Sequence, residues 1–399
     1  MAEDGFCCWL YTPDARRGGV RWGPRELFVL LHRNTEMVQA VLTRRPITAK
    51  LWICVMVVFW LWFPAEAARV KSDPNLPPPP DLLLEGGRKL AFEQTFSSER
   101  DALGQRGFWT KVLDVVAGEP QRHFMIRPYG IAVDSRGRAI VTDPGMGGIH
   151  IFDFEQHKYK FIARKNKDDN SLRSPQCVAV DAQDNIYVTD SESGKIFVFD
   201  ANGKFKRIIG SLRGGEGYFK RPTGIAVDSS MQRIYVTDTL RNKVFVLNMD
   251  GSVIQTIGAT GDRIGEFNFP TELLLHGNEI AVVDAMNFRV QIFDRSGNFH
   301  YTVGALGDGI GSFFRPKGIG FDGEGHLYVV DGAWNTVQIF DDKAELLYNF
   351  GTRGSELGAF ELPSGLFITR NDRIYVVDSS NRRVQVFRYY GKPAEEGKR

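Results

Sequence analysis

One motif recurs six times in this sequence at a nearly constant interval. A proline opens each copy, and the copies are 46 to 48 residues apart: Pro128, Pro175, Pro222, Pro270, Pro316 and Pro363. An aspartate closes the second apolar run of each copy: Asp143, Asp190, Asp238, Asp284, Asp331 and Asp378. The third apolar run starts six residues after each of these aspartates. A period this regular indicates a repeat architecture, in which each copy is one unit that packs against its neighbours.

Each copy predicts four short β-strands. In the third copy the apolar runs are GIAVD, RIYVTD, KVFVLN and SVIQTIG, and each ends at a residue typical of turns. Runs such as IYVVD lack clean alternation, which favours sheets that are buried on both faces. Four strands in roughly 40–50 residues is the period of a β-propeller blade. We therefore predict an all-β fold, a six-bladed β-propeller.

The six aspartates resemble catalytic carboxylates when each is considered alone. Because all six occupy the same position of the repeat, we expect them to cap turns with their carboxylates instead.

The sixth copy lacks a fourth strand, since the chain becomes polar after VQVFRYY. An unassigned strand-like run, Thr110–Gly118, precedes the first copy. We predict that it pairs with Val384–Phe387 and closes the ring, which removes an open sheet edge.

Several short sequence patterns in the copies resemble those of a known family. The patterns P-x-G-I-A-V-D, I-Y-V-T-D and N-x-R-V-Q-V-F, with G-x-F before most of the prolines, resemble NHL repeats over Gly107–Tyr390. The resemblance implies a six-bladed NHL propeller, and the leader described next makes the chain similar to exported bacterial members. The copies are not identical. In most copies an aspartate ends the first apolar run, as in GIAVD, but His276 and Thr369 replace it in the fourth and sixth copies.

The segment before the repeats predicts export. Residues 1–36 show no period and are expected to be disordered or an over-extended start, with Met37 as the first residue. Residues 37–67 combine basic residues, an apolar run (Leu51–Phe63) and an A-x-A site, as signal peptides do. The alternative is an uncleaved, membrane-associated anchor. Residues 68–106 are expected to be a Pro-rich spacer in which Arg88–Phe96 adds a strand or a strap, residues 107–390 the propeller, and residues 391–399 a polar tail.

The resemblance also implies where chemistry would occur. In lyases with NHL-like repeats a His commonly follows the opening Pro, whereas lactonases use carboxylates and Asn at the channel mouth, for which Glu272 and Asn278 are conceivable. The six residues after Pro are neither His nor carboxylates, and we treat them as candidate channel-mouth binding residues: Tyr129, Gln176, Thr223, Thr271, Lys317 and Ser364. We expect no catalytic residue, no catalytic metal and no cofactor. Cys177 is expected to be a small buried core residue.

Three function classes remain open from the sequence. The first is an exported, non-enzymatic propeller that binds a protein or polymer partner. The second is a channel-centred, metal-dependent lyase or lactonase. The third, nucleic-acid binding, is not expected because the leader predicts export. Residues 158–243 carry a net charge of +6 and residues 244–378 a net charge of −9, so we also predict a basic binding surface on connecting loops. Its candidate residues are Lys165, Lys167, Arg213, Lys220 and Arg221.

Overall fold

The computed structural model describes residues 78–104, 123–163, 171–214 and 216–391. Nearly all of the regular elements are short strands. One α-helix, α1 (Glu99–Leu103), and two 3-10 turns, Glu85–Gly87 and Ala285–Asn287, accompany them. The strands in chain order are β1 (Leu82–Leu83), β2 (Lys89–Phe96), β3 (Ile131–Val133), β4 (Ala139–Asp143), β5 (Gly148–Asp153), β6 (Lys158–Ile162), β7 (Pro175–Val180), β8 (Ile186–Asp190), β9 (Lys195–Phe199), β10 (Phe205–Ile209), β11 (Pro222–Asp228), β12 (Arg233–Asp238), β13 (Lys243–Asn248), β14 (Val253–Ile257), β15 (Pro270–His276), β16 (Glu279–Asp284), β17 (Arg289–Asp294), β18 (Phe299–Val303), β19 (Pro316–Phe321), β20 (Leu327–Asp331), β21 (Thr336–Phe340), β22 (Leu346–Phe350), β23 (Pro363–Ile368), β24 (Arg373–Asp378) and β25 (Arg383–Tyr390).

These strands form six antiparallel sheets, one for each copy of the motif. Blades 1 to 5 are the meanders β3–β6, β7–β10, β11–β14, β15–β18 and β19–β22. Blade 6 contains β23, β24 and β25, with β2 as its fourth strand and β1 at its outer edge. The first strand of every blade contacts the first strands of both neighbouring blades, which closes a ring around a central channel. The predicted six-bladed β-propeller is confirmed.

The hydrophobic core lies between the blades. Each of the six apolar clusters joins side chains from two adjacent sheets; one, for example, packs Tyr235 of blade 3 against Leu273 of blade 4. Strands that are buried on both faces can therefore be apolar along their whole length. Burial between neighbours explains why these sequences lack the alternation of a half-exposed sheet.

The ring is closed by an N-terminal strand, as predicted, but by a different one. β2 pairs antiparallel with β25, from Lys89 opposite Tyr390 to Phe96 opposite Val384. Since β24 pairs with the other side of β25, the predicted pairing of Thr110–Gly118 with Val384–Phe387 is wrong. Thr110–Gly118 itself lies outside the described residues. Of the two roles expected for Arg88–Phe96, a strand and a strap, the structure has the strand, so the propeller begins before residue 107.

A β-bulge explains why Lys89–Phe96 fits this position. Phe92 and Phe96 are four residues apart and would share one face of a regular strand. The pairing with β25 shifts between Phe92 and Gln94, which turns the rest of the strand over. Phe92 therefore packs into the core between blades 5 and 6, whereas Phe96 packs into the core between blades 6 and 1. One strand thus fills two interfaces.

The segment around β2 is anchored to its neighbours by polar contacts as well. The Arg88 guanidinium donates to Glu324 Oε2 of blade 5 at 3.1 Å, and the backbone N–H of Glu85 donates to the Tyr348 hydroxyl at 2.8 Å. α1 follows β2 and is capped by Ser98 and Asp101. Across the described ranges, none of the helices has the length and apolar character needed to span a bilayer.

Candidate binding site at the channel entrance

The six repeat aspartates fix the start of every innermost strand. All six are fully buried. Their carboxylates accept hydrogen bonds from backbone N–H groups of the connection that precedes each opening Pro; Asp238, for example, accepts from Lys220 at 2.9 Å and from Arg221 at 3.0 Å. Equivalent bonds occur at Asp143, Asp190, Asp284, Asp331 and Asp378. The prediction that these residues cap turns is confirmed, because a buried backbone N–H needs such an acceptor.

These caps bring two kinds of loop to one face of the ring. The first strand begins where the second strand ends, since Pro222 pairs with Asp238 and the other blades repeat the pattern. The connections that lead into each first strand therefore lie at the same end as the turns between second and third strands. We call this end of the ring the entry face.

The second residue after each opening Pro lies where neighbouring blades approach each other closely around the axis. It is glycine in four blades: Gly130, Gly224, Gly318 and Gly365. A Cβ atom at any of these glycines would lie less than 3.0 Å from the backbone of the neighbouring first strand, so glycine permits the close approach. Cys177 and Glu272 replace glycine in blades 2 and 4. Their side chains meet across the ring, past blade 3, with Cys177 Sγ 2.9 Å from Glu272 Oε2.

Desolvation dominates the chemistry of this axial pair. It raises the pKa of the Glu272 carboxyl to about 7, although the Cys177 thiol and the Leu273 N–H oppose the shift by donating hydrogen bonds. Burial raises the pKa of the Cys177 thiol well above its ordinary value, and the Glu272 carboxylate raises it further. Cys177 is therefore a neutral hydrogen-bond donor. Its burial was predicted from the sequence, but its contact with Glu272 was not.

Tyr129 and Lys317 lie beside this pair, one residue after the opening Pro of blades 1 and 5. The Lys317 amine lies 5.6 Å from the centroid of the Tyr129 ring. Desolvation lowers the pKa of Lys317 to about 8; the Arg315 guanidinium lowers it further and the Asp331 carboxylate opposes this. Burial raises the pKa of the Tyr129 hydroxyl, as do Cys177 and Glu272, whereas Arg315 and Arg221 lower it. Tyr129 of blade 1 is thus within electrostatic reach of blades 2, 3, 4 and 5.

Three arginines occupy the position just before the opening Pro in alternate blades. They are Arg127, Arg221 and Arg315, in blades 1, 3 and 5, and all three are exposed. Their backbone N–H groups are bound by the repeat aspartates. Within the described part of the chain, their guanidinium groups have neither a hydrogen bond nor an ion pair. By contrast, Arg289 and Arg383 bind the carboxylates of Asp284 and Asp378 at 2.9 Å and 2.7 Å.

The other candidate residues after Pro have different roles in the structure. The Thr223 hydroxyl bonds to Thr237 and Thr239, and the Ser364 hydroxyl donates to the Tyr129 carbonyl in the next blade at 2.8 Å, so both hydroxyls serve the fold. The Gln176 amide bonds to Ser174 within its own blade. The Thr271 hydroxyl oxygen is buried and has no hydrogen-bond partner in the described ranges. Tyr129, Thr271 and Lys317 therefore remain the candidates that could bind a ligand.

The structure separates the two residues considered for a lactonase site. Glu272 lies at the axis, whereas Asn278 lies in the turn between β15 and β16, at the opposite end of the blade. Over the residues that the structure describes, no group of three or more His, Cys, Asp or Glu side chains could hold a metal ion. The expectation of no catalytic metal and no cofactor stays a prediction.

The predicted basic loop residues belong to the entry face where they can be placed. Arg213, Lys220 and Arg221 are exposed in the connection between blades 2 and 3. Lys165 and Lys167 lie outside the described residues. The sequence predicts Arg221 only as a loop residue, whereas its position before Pro222 also puts it at the channel entrance. The predicted basic loop residues that the structure describes and the predicted binding residues after Pro therefore lie on one face of the ring.

The entry face also exposes most of the large apolar side chains that the described residues leave in solvent. Trp334 is 45% exposed and Phe314 is 57% exposed, whereas large apolar side chains between the blades are fully buried. Others occur at equivalent loop positions: Ile126, Leu240, Ile264, Phe269, Met286, Leu306, Ile310 and Leu362. Clustering of this kind, with arginines among the apolar groups, is typical of protein-binding surfaces.

A second concavity lies on the outer side of blades 5 and 6, against the segment that leads into β2. It has a volume of about 250 Å³ and is lined by Arg88, His326, Tyr348 and Tyr389 among others. Its polar groups are already paired, since His326 Nδ1 lies 2.8 Å from Asp322 and Arg88 binds Glu324. These contacts attach the N-terminal segment to the ring, which leaves the entrance as the better candidate for binding.

Comparison with known proteins agrees with this architecture. A family model described as a 6-bladed beta-propeller matches residues 146–259, 226–287 and 265–345, and an NHL repeat model matches residues 360–387. A search of curated protein sequences found no match.

Solved structures resemble the chain in fold at low identity. A protein of unknown function from Bacteroides thetaiotaomicron is 14% identical with a TM-score of 0.54, covering 78% of this chain and 84% of its own. A gluconolactonase from Xanthomonas campestris is 16% identical with a TM-score of 0.52, covering 79% and 99%. An auxiliary nutrient binding protein from Bacteroides thetaiotaomicron is 13% identical with a TM-score of 0.52, covering 67% and 70%. From the repeats, the six sheets and the family match together, the chain belongs to the family of 6-bladed β-propellers and contains NHL repeats.

Proposed function

We propose that this protein is an exported, non-enzymatic propeller whose entry face binds a partner protein. The observation that carries the proposal is the concentration, on that one face, of exposed apolar side chains and of arginines that have no partner among the described residues. Aromatic residues and arginine dominate the binding energy of protein interfaces, because they combine a large apolar area with directed hydrogen bonds. The rigid ring supports this role, since its loops are fixed by buried aspartates and need little ordering on binding.

The charge distribution supports an acidic partner. Residues 158–243 carry the net charge of +6, and their connection between blades 2 and 3 contributes Arg213, Lys220 and Arg221 to the entry face. Charge of one sign on part of a surface raises the rate of encounter with an oppositely charged protein. The basic and apolar order of residues 37–67 supports export, and an uncleaved leader would tether the propeller to the membrane instead.

The fold by itself does not choose between binding and catalysis. The structures of similar fold include a gluconolactonase and a nutrient binding protein, and one architecture can host either activity. A channel-centred lyase or lactonase is the alternative that an experiment has to separate. It would require chemistry at the axis, whereas a binding propeller requires a partner in contact with the rim.

Site-specific photo-crosslinking in the cell that makes the protein tests the proposal. A photoreactive phenylalanine analogue at Phe314 or Trp334 of the entry face is expected to give one discrete protein adduct. The same analogue at Met231 or Ile254, which are exposed elsewhere on the ring, is the matched control and is expected to give none. Equal labelling at all four positions, or no adduct at the entry face, contradicts a dedicated binding face.

A further inference from the structure

We propose that the entrance of the central channel is a binding site for a carboxylate group, formed by Lys317, Tyr129 and Thr271 and surrounded by Arg127, Arg221 and Arg315. The proposal deepens the proposed function, because the carboxylate would come from an acidic side chain of the bound protein. It rests on the geometry of the entrance and not on similarity to any other propeller.

One cation, Lys317, lies at the axis of the channel. Lys317 is partly buried, and its side chain packs along Gly332, where an added Cβ would come within 3.1 Å of Lys317 Cε. Its amine has no hydrogen bond or ion pair with any described residue, although it faces the Tyr129 ring. Buried charges in proteins are ordinarily paired, because desolvation is costly. A lysine retained without a partner in a channel suits an external anion.

Arginine recurs around the entrance of the channel. Arg127, Arg221 and Arg315 precede equivalent prolines in blades 1, 3 and 5, so they surround the axis at similar depth. Arg221 and Arg315 both lower the pKa of the Tyr129 hydroxyl, so both guanidinium groups act on it electrostatically across the ring. Three like charges around one opening repel one another, and attraction to a bound anion offsets that repulsion. Guanidinium groups also match the two oxygens of a carboxylate.

Two neutral hydroxyl donors at the entrance also lack a hydrogen-bond partner among the described residues. The Thr271 hydroxyl is buried and unsatisfied within the described residues. The Tyr129 hydroxyl likewise has no hydrogen bond to them, whereas the hydroxyls of Tyr187 and Tyr328 each bind an aspartate at 3.0 Å. Buried polar groups in folded proteins almost always have a partner. A carboxylate at the entrance would accept hydrogen bonds from both hydroxyls.

The acidic side chain of Glu272 makes anion binding at the entrance dependent on pH. Glu272 lies next to the entrance, and its pKa of about 7 keeps much of it protonated at neutral pH. As the pH rises, Glu272 gains a negative charge while Lys317 loses its positive charge near pH 8. The Cys177 thiol and the Tyr129 hydroxyl stay neutral over this range, because burial raises the pKa of both groups. Arg221, Arg315 and Asp331 are the other charged groups that act on these side chains. Both titrations therefore weaken anion binding between pH 6 and pH 9.

The experiment uses the purified protein and a fluorescent peptide that contains three consecutive glutamates. Fluorescence anisotropy is expected to show saturable binding, weaker at pH 9 than at pH 6, and no binding of the matched peptide with three glutamines. Lys317→Met is expected to weaken binding at least tenfold, and Arg315→Gln by several fold. Lys343→Met and Arg370→Gln are the matched controls, since both residues are exposed in turns at the end of the blades opposite the entry face; neither should change the affinity.

The outcomes separate this inference from the proposed function. Absence of saturable peptide binding, or binding that Lys317→Met and Arg315→Gln leave unchanged, overturns the carboxylate site even if crosslinking at Trp334 succeeds. Binding of inorganic phosphate without binding of the peptide overturns the assignment to carboxylate. Peptide binding that depends on Lys317, with no protein adduct at the entry face, supports the site and contradicts a protein partner.

Discussion

At the scale of single residues, two ionisable side chains in the channel of this propeller lower the stability of the fold. Glu272 and Lys317 both occupy positions where desolvation disfavours their charged forms. A protein that needed the channel only for packing would gain from apolar residues there. Ionisable groups are retained at the axis beside hydroxyls that have no partner in the described ranges, as expected for a site that a ligand completes.

Glu272 should make the protein less stable as the pH rises. Its folded pKa of about 7 exceeds its ordinary value of 4.5, so the folded state binds a proton more tightly. The resulting stabilisation is fully present below pH 4.5 and is lost as the pH rises through 7. Glu272→Gln, which mimics the protonated carboxyl, should therefore raise the free energy of unfolding by about 3 kcal/mol at pH 8 and by little at pH 4.

Urea unfolding of the parent and Glu272→Gln at the two pH values measures this difference. Glu345→Gln, an exposed carboxylate in the turn before β22, is the control and should have the same small effect at both. If Glu272→Gln destabilises the protein equally at pH 4 and pH 8, the ionised carboxylate is part of the packing and the argument from desolvation is wrong.

At the scale of elements, β2 determines whether the ring is closed. Leu90 and Phe96 are 3% and 1% exposed, and Phe96 packs on Phe152 with 4.8 Å between ring centroids. Full burial of such side chains contributes about 1.5–3 kcal/mol each. The strand also covers the edge of β25, whose exposed N–H and C=O groups would otherwise pair with other chains.

Two N-terminal truncations test this role of β2. A chain that begins at residue 97 lacks the closing strand and should aggregate or melt at least about 10 °C lower than a chain that begins at residue 78, because roughly 5 kcal/mol of burial is lost. Differential scanning calorimetry and light scattering measure both effects. Equal melting temperatures for the two chains would mean that another segment can close the ring.

A point variant separates the packing of β2 from the simple loss of chain. Phe96→Ala should lower the free energy of unfolding by about 3–4 kcal/mol, since it leaves a cavity between blades 6 and 1. Phe124→Ala is the matched control, because Phe124 is 53% exposed and its removal should cost little. Similar losses for the two variants would contradict the assignment of Phe96 to the core.

At the scale of the whole molecule, the small net charge of +2 conceals two regions of opposite sign. The basic region includes the connection between blades 2 and 3, which is on the entry face. Exposed charges contribute little to stability but act on association over a distance that salt controls. The charge distribution therefore affects how fast a partner is found more than how firmly the ring is held.

Reversing Lys165, Lys167, Arg213 and Lys220 to Glu tests the basic region without changing the channel arginines. We expect an unchanged melting temperature and several-fold less crosslinked partner at low salt, with a smaller difference at high salt. Lys204→Glu with Lys343→Glu, at exposed turns on the opposite end of the blades, is the control. Equal recovery of partner at every salt concentration would show that these charges only keep the protein soluble.

The sequence by itself determined the architecture, because the information for it is local and repeated. The interval between prolines defined six blades, the short apolar runs defined their strands, and the six aspartates predicted the caps of the loops. Each of these features depends on the chemistry of a few neighbouring residues, and six copies of one pattern make chance agreement improbable. The entrance residues after Pro could also be named from their place in the repeat.

Only the tertiary structure decided what those positions do, because the deciding contacts join residues that are far apart in the chain. Thr110–Gly118 resembles a fourth strand, yet Lys89–Phe96 closes the ring because a bulge lets it fill two cores. Cys177 and Glu272 each replace a glycine, and their contact exists only because the ring brings blades 2 and 4 to one axis. Whether a cation such as Lys317 has a partner is likewise a property of the assembled ring, since no pattern within one repeat specifies it.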